Sequence, residues 1–341
     1  MNIFVRPSII FPIIVLSFFS GETSLAQEKV QFSGYGAAGY KFYDRNILRQ
    51  YNQEVYYEGK LQADIKINRH LDAQLDMRGS SEDERLLLRE FSVKFDYLKY
   101  LKFKVGNIKK PFGLEQLVNT EELLTVERSY IQRSISDIGY GGRSVSLMAY
   151  YKFNKKRSEF PFSYSLALMK DNSLNTSLAG RFSFHDEALI YSLNYLYQRL
   201  GGEYPERANG FSADLVYEGE LLKSSFEVQY VEDPIESQRL KLSGEGRNVY
   251  VCGIKSINAF SINPDGEVIK TIEPVLLAGM YFPDSREKNT HTFEIIAGGN
   301  IYLDKDLRLR LNGDLLLSKD RYNSSYSTTD SKLVFECQVT F

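Results

Sequence analysis

Between Val55 and Asn68 the chain alternates with a period of two. Val55, Tyr57, Gly59, Leu61, Ala63, Ile65 and Ile67 stand between Glu58, Lys60, Gln62, Asp64, Lys66 and Asn68. Successive side chains of an extended strand point to opposite faces, so one face here is apolar and the other charged. A strand of a water-soluble domain is typically ~5–6 residues long. A tilted strand that crosses a bilayer needs ~9–11, and this run is long enough.

The pattern repeats down the chain. After the turn Asn68-Arg69-His70, Leu71, Ala73, Leu75 and Met77 resume the apolar face, opposite Asp72, Gln74, Asp76 and Arg78. It returns at Phe91–Tyr97, Leu101–Val105, Val145–Phe153, Leu189–Tyr197, Leu222–Tyr230, Phe293–Leu303, Leu307–Leu317 and Leu333–Phe341. The spacing predicts about sixteen strands, with cores at 30–42, 54–67, 71–78, 88–98, 100–108, 143–153, 160–170, 176–185, 187–198, 209–218, 222–232, 247–256, 270–281, 291–303, 307–318 and 332–341. Bacterial barrels have even strand numbers.

The connections sort by parity. Residues 43–53, 79–87, 109–142, 199–208, 233–246 and 319–331 form long ones. Residues 68–70, the chain near 99, 219–221 and 304–306 form short ones. Short periplasmic turns alternating with longer external loops are the layout of a transmembrane barrel. The stretch 257–269 falls where a short turn is due and breaks the rule. In lipid every backbone N–H and C=O must be paired within the protein, so a spanning sheet has to close on itself. About sixteen strands enclose a lumen too wide for side chains to fill. Water in that lumen explains the charged second face, which would be costly in a sealed core. The fold class read from the sequence is therefore all-β: a transmembrane antiparallel β-barrel of about sixteen strands. A soluble β-protein with solvated polar faces fits neither strand length nor loop parity.

The ends agree. Arg6, the apolar run Ser8 to Phe19 and Ser24-Leu25-Ala26 have the layout of a secretory signal, so residues 1–26 are expected to be removed and 27–341 to form the barrel in the outer membrane of a Gram-negative cell. That run is too short for a spanning helix, and no comparable run follows it. Tyr (24) and Phe (22) must supply any interfacial belt, because Trp is absent. Cys252 and Cys337, on strands placed far apart, read as unpaired. The net charge of −2 comes with no basic tail, so nothing points to nucleic acid.

The sequence offers no catalytic constellation. His70 and His185 belong at periplasmic turns and His291 near the external rim, none within reach of an external Ser–Asp pair. No metal-ligand spacing occurs. Gly139-Tyr140-Gly141-Gly142 lacks the lysine and serine of a P-loop. No enzyme activity and no cofactor are expected.

The final strand, alternating from Leu333 to Phe341, resembles the C-terminal signal read by the barrel assembly machinery. A sharper resemblance lies in Leu101-Lys102-Phe103-Lys104-Val105-Gly106-Asn107-Ile108-Lys109-Lys110-Pro111-Phe112-Gly113-Leu114-Glu115, in Glu127-Arg128-Ser129, and in Ile301 to Asn312. These stretches resemble the phosphate-selective porin O and P family. The resemblance implies a sixteen-stranded barrel in outer-membrane lipid, usually a homotrimer, whose long third loop folds into the lumen and narrows it.

The residues of that loop fit such a role. A connection as long as 109–142 is usually functional. Pro111-Phe112-Gly113 gives a sharp entry turn, and Asn119 with Glu122 can cap a short helix over 120–133. An external lid is the other reading of the same length. The candidate pore-lining cations are Lys104, Lys109, Lys110, Arg128, Arg133, Arg308 and Arg310. Charges nevertheless balance. The loop sets Lys109, Lys110, Arg128 and Arg133 against Glu115, Glu121, Glu122, Glu127 and Asp137. On the second to sixth strands Lys60, Lys66, Arg78, Lys94, Lys102, Lys104 and Lys152 face Glu58, Asp64, Asp72, Asp76, Glu90 and Asp96. The expected function is a channel for passive diffusion of small hydrophilic solutes or anions such as phosphate, with weak charge selectivity. The competing reading is a structural or adhesive barrel with a closed lumen, which single-channel conductance separates from a porin.

Overall fold

A computed structural model describes residues 30–45, 50–81, 85–156, 158, 160–170, 175–201, 206–264, 266–287, 289–319, 326–328 and 331–341. The expected leader, 1–26, lies outside the described residues. The first half of the sheet is β1 (Val30–Arg45), β2 (Gln50–Asn68), β3 (Leu71–Ser80), β4 (Arg85–Phe95), β5 (Lys102–Lys109), β6 (Arg143–Tyr151), β7 (Phe162–Lys170) and β8 (Thr176–Asp186). The second is β9 (Leu189–Arg199), β10 (Arg207–Glu218), β11 (Leu222–Asp233), β12 (Val249–Phe260), β13 (Thr271–Phe282), β14 (His291–Tyr302), β15 (Leu307–Lys319), β16 (Tyr326–Thr328) and β17 (Ser331–Thr340). Every neighbour is antiparallel, and β1 pairs with both β2 and β17. The short β16 pairs with the end of β15 next to β17, Leu317↔Thr328 following Asp314↔Lys332. It extends the line of β17, so the wall is a closed antiparallel barrel of sixteen strands.

Closure brings the last residue back to the first strand. Gly34 N donates to Phe341 O and Phe341 N to Gly34 O, both at 3.0 Å. The alternation is then inside out relative to a soluble protein. Val55, Tyr57 and Leu193 are exposed, whereas Lys255, Glu227, Arg310 and Glu336 are buried. The apolar face is the outside of the cylinder and the charged face is the inside.

Strand ends differ from the sequence expectation on the long-loop side. The β1–β2 ladder runs from Val30↔Ile65 to Arg45↔Gln50, so that connection shrinks from the expected 43–53 to 46–49. Residues 81–84 replace 79–87. Both faces of a strand meet water beyond the bilayer, so backbone pairing continues there after the hydrophobic alternation has faded. Within the long connection after β11, helix α1 (Pro234–Leu242) forms instead of loop. Asp233 Oδ1 accepts from Ile235 N at 2.9 Å and Glu236 N at 3.0 Å, and proline occupies the first turn. The irregular 257–269 is partly strand, because β12 continues to Phe260. The remaining turn is tied by an Ile262↔Ile272 bridge and by Thr271 Oγ1 on Asn263 Oδ1 at 2.8 Å.

One irregularity in the wall matters for the lumen. Asp76 pairs with Glu90 but Met77 pairs with Leu88, leaving Arg89 as the extra residue of a β-bulge in β4. Asn107 Nδ2 takes the freed Arg89 carbonyl at 2.7 Å. Beside it Gly106 adopts φ 141°, and a Cβ there would lie 2.0 Å from the Phe91 carbonyl oxygen. Gly106→Val should therefore cost at least on the order of 1–3 kcal/mol in strain alone. The expected readout is a lower temperature for the barrel's loss of heat-modifiable migration in detergent gels. An unchanged transition would show that β4 and β5 do not need this glycine.

Candidate functional site

The chain between β5 and β6 leaves the sheet for residues 110–142. It forms helix α2 (Leu114–Leu117), a 3-10 turn at Thr120–Glu122, helix α3 (Tyr130–Ile135) and a π-turn at Ser136–Tyr140. The Asn119–Glu122 pairing is present, with Asn119 N donating to Glu122 Oε2 at 3.4 Å. It caps only the 3-10 turn and not a helix over 120–133. The backbone between Leu123 and Arg128 is instead held from the wall. Asn300 Nδ2 donates to Leu124 O at 3.0 Å, Arg310 Nη1 to Thr125 O at 3.1 Å, and Val126 N donates to Asn312 Oδ1 at 2.6 Å. Carbonyls used this way are lost to helical pairing. The helix begins only at Tyr130, where Ser129 Oγ accepts from Gln132 N at 3.1 Å.

Further clamps surround these. Lys255 of β12 pairs with Glu115 and, at 3.2 Å, with Glu227 of β11, and all three are buried. Glu227 Oε1 also accepts from Leu114 N at 2.7 Å, and Glu115 accepts from Ser129 N and Oγ at 2.7 and 2.6 Å. Lys60 of β2 pairs with Glu121 at 2.6 Å, and Lys41 of β1 with Glu127 at 2.8 Å. Lys332 of β17 also reaches Glu127. Apolar contacts complete the fastening: Phe112, Ile131, Ile135 and Tyr140 pack on Ala167, Met169, Ala179, Leu196, Val231, Val251 and Tyr281. Ile131 fits because β12 and β13 carry glycines under it. A Cβ at Gly253 or Gly279 would lie 2.6 or 2.5 Å from its side chain.

Most of these attachments come from β7–β9, β11–β15, β17, β1 and β2; on the side of β3, β4 and β6 Arg78 Nη1 donates to Thr120 Oγ1 at 3.2 Å and the segment otherwise leaves room. A cavity of about 310 Å3 lies there. The wall lines it with Lys60, Arg78, Arg89 and Arg143, and Lys109, Arg128 and Arg133 add to them. Asp76, Glu121 and Asp137 are the acidic lining residues. Cations outnumber carboxylates in the lining, although Lys60, Arg78, Arg133 and Arg143 are paired with Glu121, Glu58, Glu127 and Asp76. It shares Lys109 and Asn119 with a cavity of about 920 Å3 that reaches the short-turn residues His185, Glu218 and Gly219. It shares Arg78, Thr120, Arg128, Arg133 and Asp137 with one of about 820 Å3 that reaches Tyr43, Glu54 and Ser80 at the long-loop end.

The seven expected cations separate into three groups. Lys109, Arg128 and Arg133 line the passage. Lys109 Nζ also holds Leu117 O, Val118 O and Asn119 Oδ1 at 3.1, 3.2 and 2.9 Å. Lys104 lines the short-turn cavity, paired with Glu90. Arg308, Arg310 and Lys110 are buried and bond to the segment itself. Arg308 reaches Glu121 O and Leu123 O, Arg310 reaches Leu123 O and Thr125 O, and Lys110 donates to Gly139 O at 2.7 Å.

The sequence reading missed Arg89 and Arg143. Strict alternation from Phe91 and Val93 puts Arg89 on the lipid face, and only the bulge brings it into the lumen lining. Among the described residues Arg89 makes no ion pair. Arg143 begins β6 within 3.5 Å of Asp76 and 3.6 Å of Glu90. A signal was legible for the resting place of α3: glycine in the interior of β12 and β13 often marks a close approach of other chain.

Comparison with known proteins agrees with the barrel fold. The profile of the family Phosphate-selective porin O and P matches residues 33–211, over half of the chain. No curated protein matches the sequence. The anion-selective porin from Comamonas acidovorans is similar in fold, with TM-score 0.67 and 13% identity over 92% of this chain and 99% of that one. OmpF of Salmonella typhi, solved with daunomycin, gives 0.66 and 12% over 92% and 97%. The outer membrane channel DcaP of Acinetobacter baumannii gives 0.65 and 11% over 92% and 97%.

Two predictions follow from the clamps. Arg310 and Glu336 are 1% exposed, with Arg310 Nε on Glu336 Oε1 at 2.8 Å. Removing one partner of such a pair costs about 3–5 kcal/mol, because the other charge stays buried. Arg310→Met should lower the melting temperature in detergent more than Arg310→Met with Glu336→Leu, and the reverse order would refute the pairing. The second concerns acid. Burial acts to raise the Glu127 carboxyl, but the ammonium groups of Lys332 and Lys41 outweigh it and hold its pKa down at about 2. Its folded pKa lies below its unfolded value, so the clamp contributes fully above about pH 4.5 and is lost as pH falls towards 2. Open-channel noise should stay flat from neutral to about pH 4 and rise below it, while Glu127→Gln should be noisy at neutral pH.

Proposed function

This chain belongs to the phosphate-selective porin O and P family, and on that premise we propose that its lumen passes small hydrophilic solutes with a preference for anions, set where segment 110–142 leaves room beside β3, β4 and β6. Family and fold make it an outer-membrane channel for passive diffusion and point away from an enzyme. The observation that carries the anion preference is the lining of the narrow passage, where seven cationic side chains meet three carboxylates. Counting charges along whole strands gave near balance. At the passage Lys60, Arg78, Arg133 and Arg143 are ion-paired, but Arg89, Lys109 and Arg128 have no carboxylate partner among the described residues and leave it an excess of positive charge.

Fixed cations on a low-dielectric wall concentrate anions at the narrowest point and repel cations. The segment supports a constriction role over an external lid because its hydrogen bonds run to inward-facing residues around most of the cylinder. Cavities on its two sides share lining residues with the passage, which supports an open rather than a closed lumen. The setting completes the proposal: a leader over 1–26 removed on export, insertion by the barrel assembly machinery reading the strand that ends at Phe341, and a homotrimer in outer-membrane lipid.

A purified channel in a KCl gradient should give a reversal potential on the anion side. Arg89→Ser with Arg143→Ser should lower the chloride-to-potassium permeability ratio about fivefold, the factor given by about 1 kcal/mol of lost attraction. A wild-type reversal potential at zero or on the cation side would overturn the reading. For the setting, deletion of Phe341 should leave chains in the periplasm, and sedimentation in detergent should give three protomers. Normal insertion of the truncated chain, or a monomer, would remove those parts alone.

A further inference from the structure

The two larger cavities are lined differently. On the long-loop side charged groups and tyrosines predominate, among them Lys41, Glu58, Glu127 and Lys332. On the short-turn side the segment brings Leu117, Val118 and Leu124 to the same cavity as Tyr150, Ile190 and Ile257 of the wall. All six are only part-buried. The segment's main packing on the wall is made by other residues, Phe112, Ile131, Ile135 and Tyr140. Part-exposed apolar side chains on both sides of an otherwise charged lumen attract apolar solute surface. A cavity of about 920 Å3 falls in the size range of small-molecule sites, which are mostly apolar with a few convergent polar groups.

Polar groups line the cavity as well, among them the carboxylates of Glu122 and Glu218 and the ion-paired Lys104, Arg181 and Lys223. Lys109 lines both this cavity and the cationic passage, and its Nζ has carbonyl and amide oxygens as partners rather than a carboxylate. Lys152 also lines the cavity and makes no ion pair among the described residues. We propose that the short-turn cavity is a binding site for organic anions, with a carboxylate, sulfonate or phosphate head at Lys109 and the passage and an aromatic or alkyl body against Leu117, Leu124, Tyr150 and Ile257. This rests on the anion-preferring passage and adds a requirement for an apolar body. Solutes of this class dwell in the channel on the short-turn side of the narrowing, whereas small inorganic anions cross without that contact.

The test is block of single-channel current in KCl by benzoate and hexanoate, compared with acetate, inorganic phosphate and benzylammonium. Hexanoate carries four more CH2 groups than acetate, so even partial burial separates them by at least about tenfold in half-blocking concentration. Benzoate and hexanoate should therefore block at least about tenfold lower than acetate or phosphate, and benzylammonium should block poorly. In Leu117→Asn with Ile257→Asn the hexanoate-to-acetate ratio should fall towards one. Equal block by all the anions overturns the inference while leaving an anion-selective channel in place. So does an unchanged ratio in the variant, or benzylammonium matching benzoate. A reversal potential on the cation side overturns the passage and this inference together, so the two failures are distinguishable.

Discussion

The whole molecule depends on one constraint: a backbone in hydrocarbon has no water to bond to. Each strand must find both neighbours inside the protein, and the sheet meets that demand by pairing β1 with β17 as well as β2. Closure fixes what the side chains can do. The outer face must be apolar, and sixteen strands are too many for the inner face to be filled from the wall alone. The interior is left wet, and a wet interior tolerates the charges that the second face of every strand carries.

Those charges then organise the lumen. A 33-residue connection with little regular structure of its own cannot sit inside a barrel unless its backbone groups are satisfied, because a buried unpaired amide or carbonyl costs about 1–3 kcal/mol. Arg308, Arg310, Asn300, Asn312 and Lys255 do this from the wall, each directly or through a carboxylate. Residues that look like free pore cations in the sequence are in this way the segment's fastenings. The wall cations facing the narrow space are largely others, Arg78, Arg89 and Arg143, on the side with the fewest fastenings. Most of the fastening comes from one side of the cylinder, whereas Lys60, Arg78 and Lys109 both hold the segment and line the narrow space.

The lumen is also asymmetric along its axis. The segment presents mainly charged and hydroxyl groups to one cavity, and to the other adds the part-exposed Leu117, Val118 and Leu124 to its polar groups. On the proposed path a solute meets polar water, then a cationic narrowing, then a partly apolar chamber. Charge acts over distances up to about the screening length, roughly 8 Å at physiological salt, whereas apolar contact acts only at the surface. On the functions proposed above, the narrowing would sort solutes by sign and the chamber beyond it by the body they carry.

Local chemistry written with a period of two was enough to read the closed barrel from the sequence. Strand count, direction, the apolar exterior and the position of the long segment between β5 and β6 all follow from which residues alternate and where alternation stops. The passage was not readable in the same way, because it depends on contacts between residues far apart in the chain. Arg89 lines the lumen only because one extra residue in β4 reverses the facing of its neighbours, and a single added residue leaves almost no trace in a hydrophobic pattern. Arg308 and Arg310 have the alternation of pore-facing groups, yet their partners, the carbonyls of Glu121, Leu123 and Thr125, lie more than 180 residues away. Periodicity tells which face a side chain is on. What it meets there is decided by closure, which brings the segment and the far wall together.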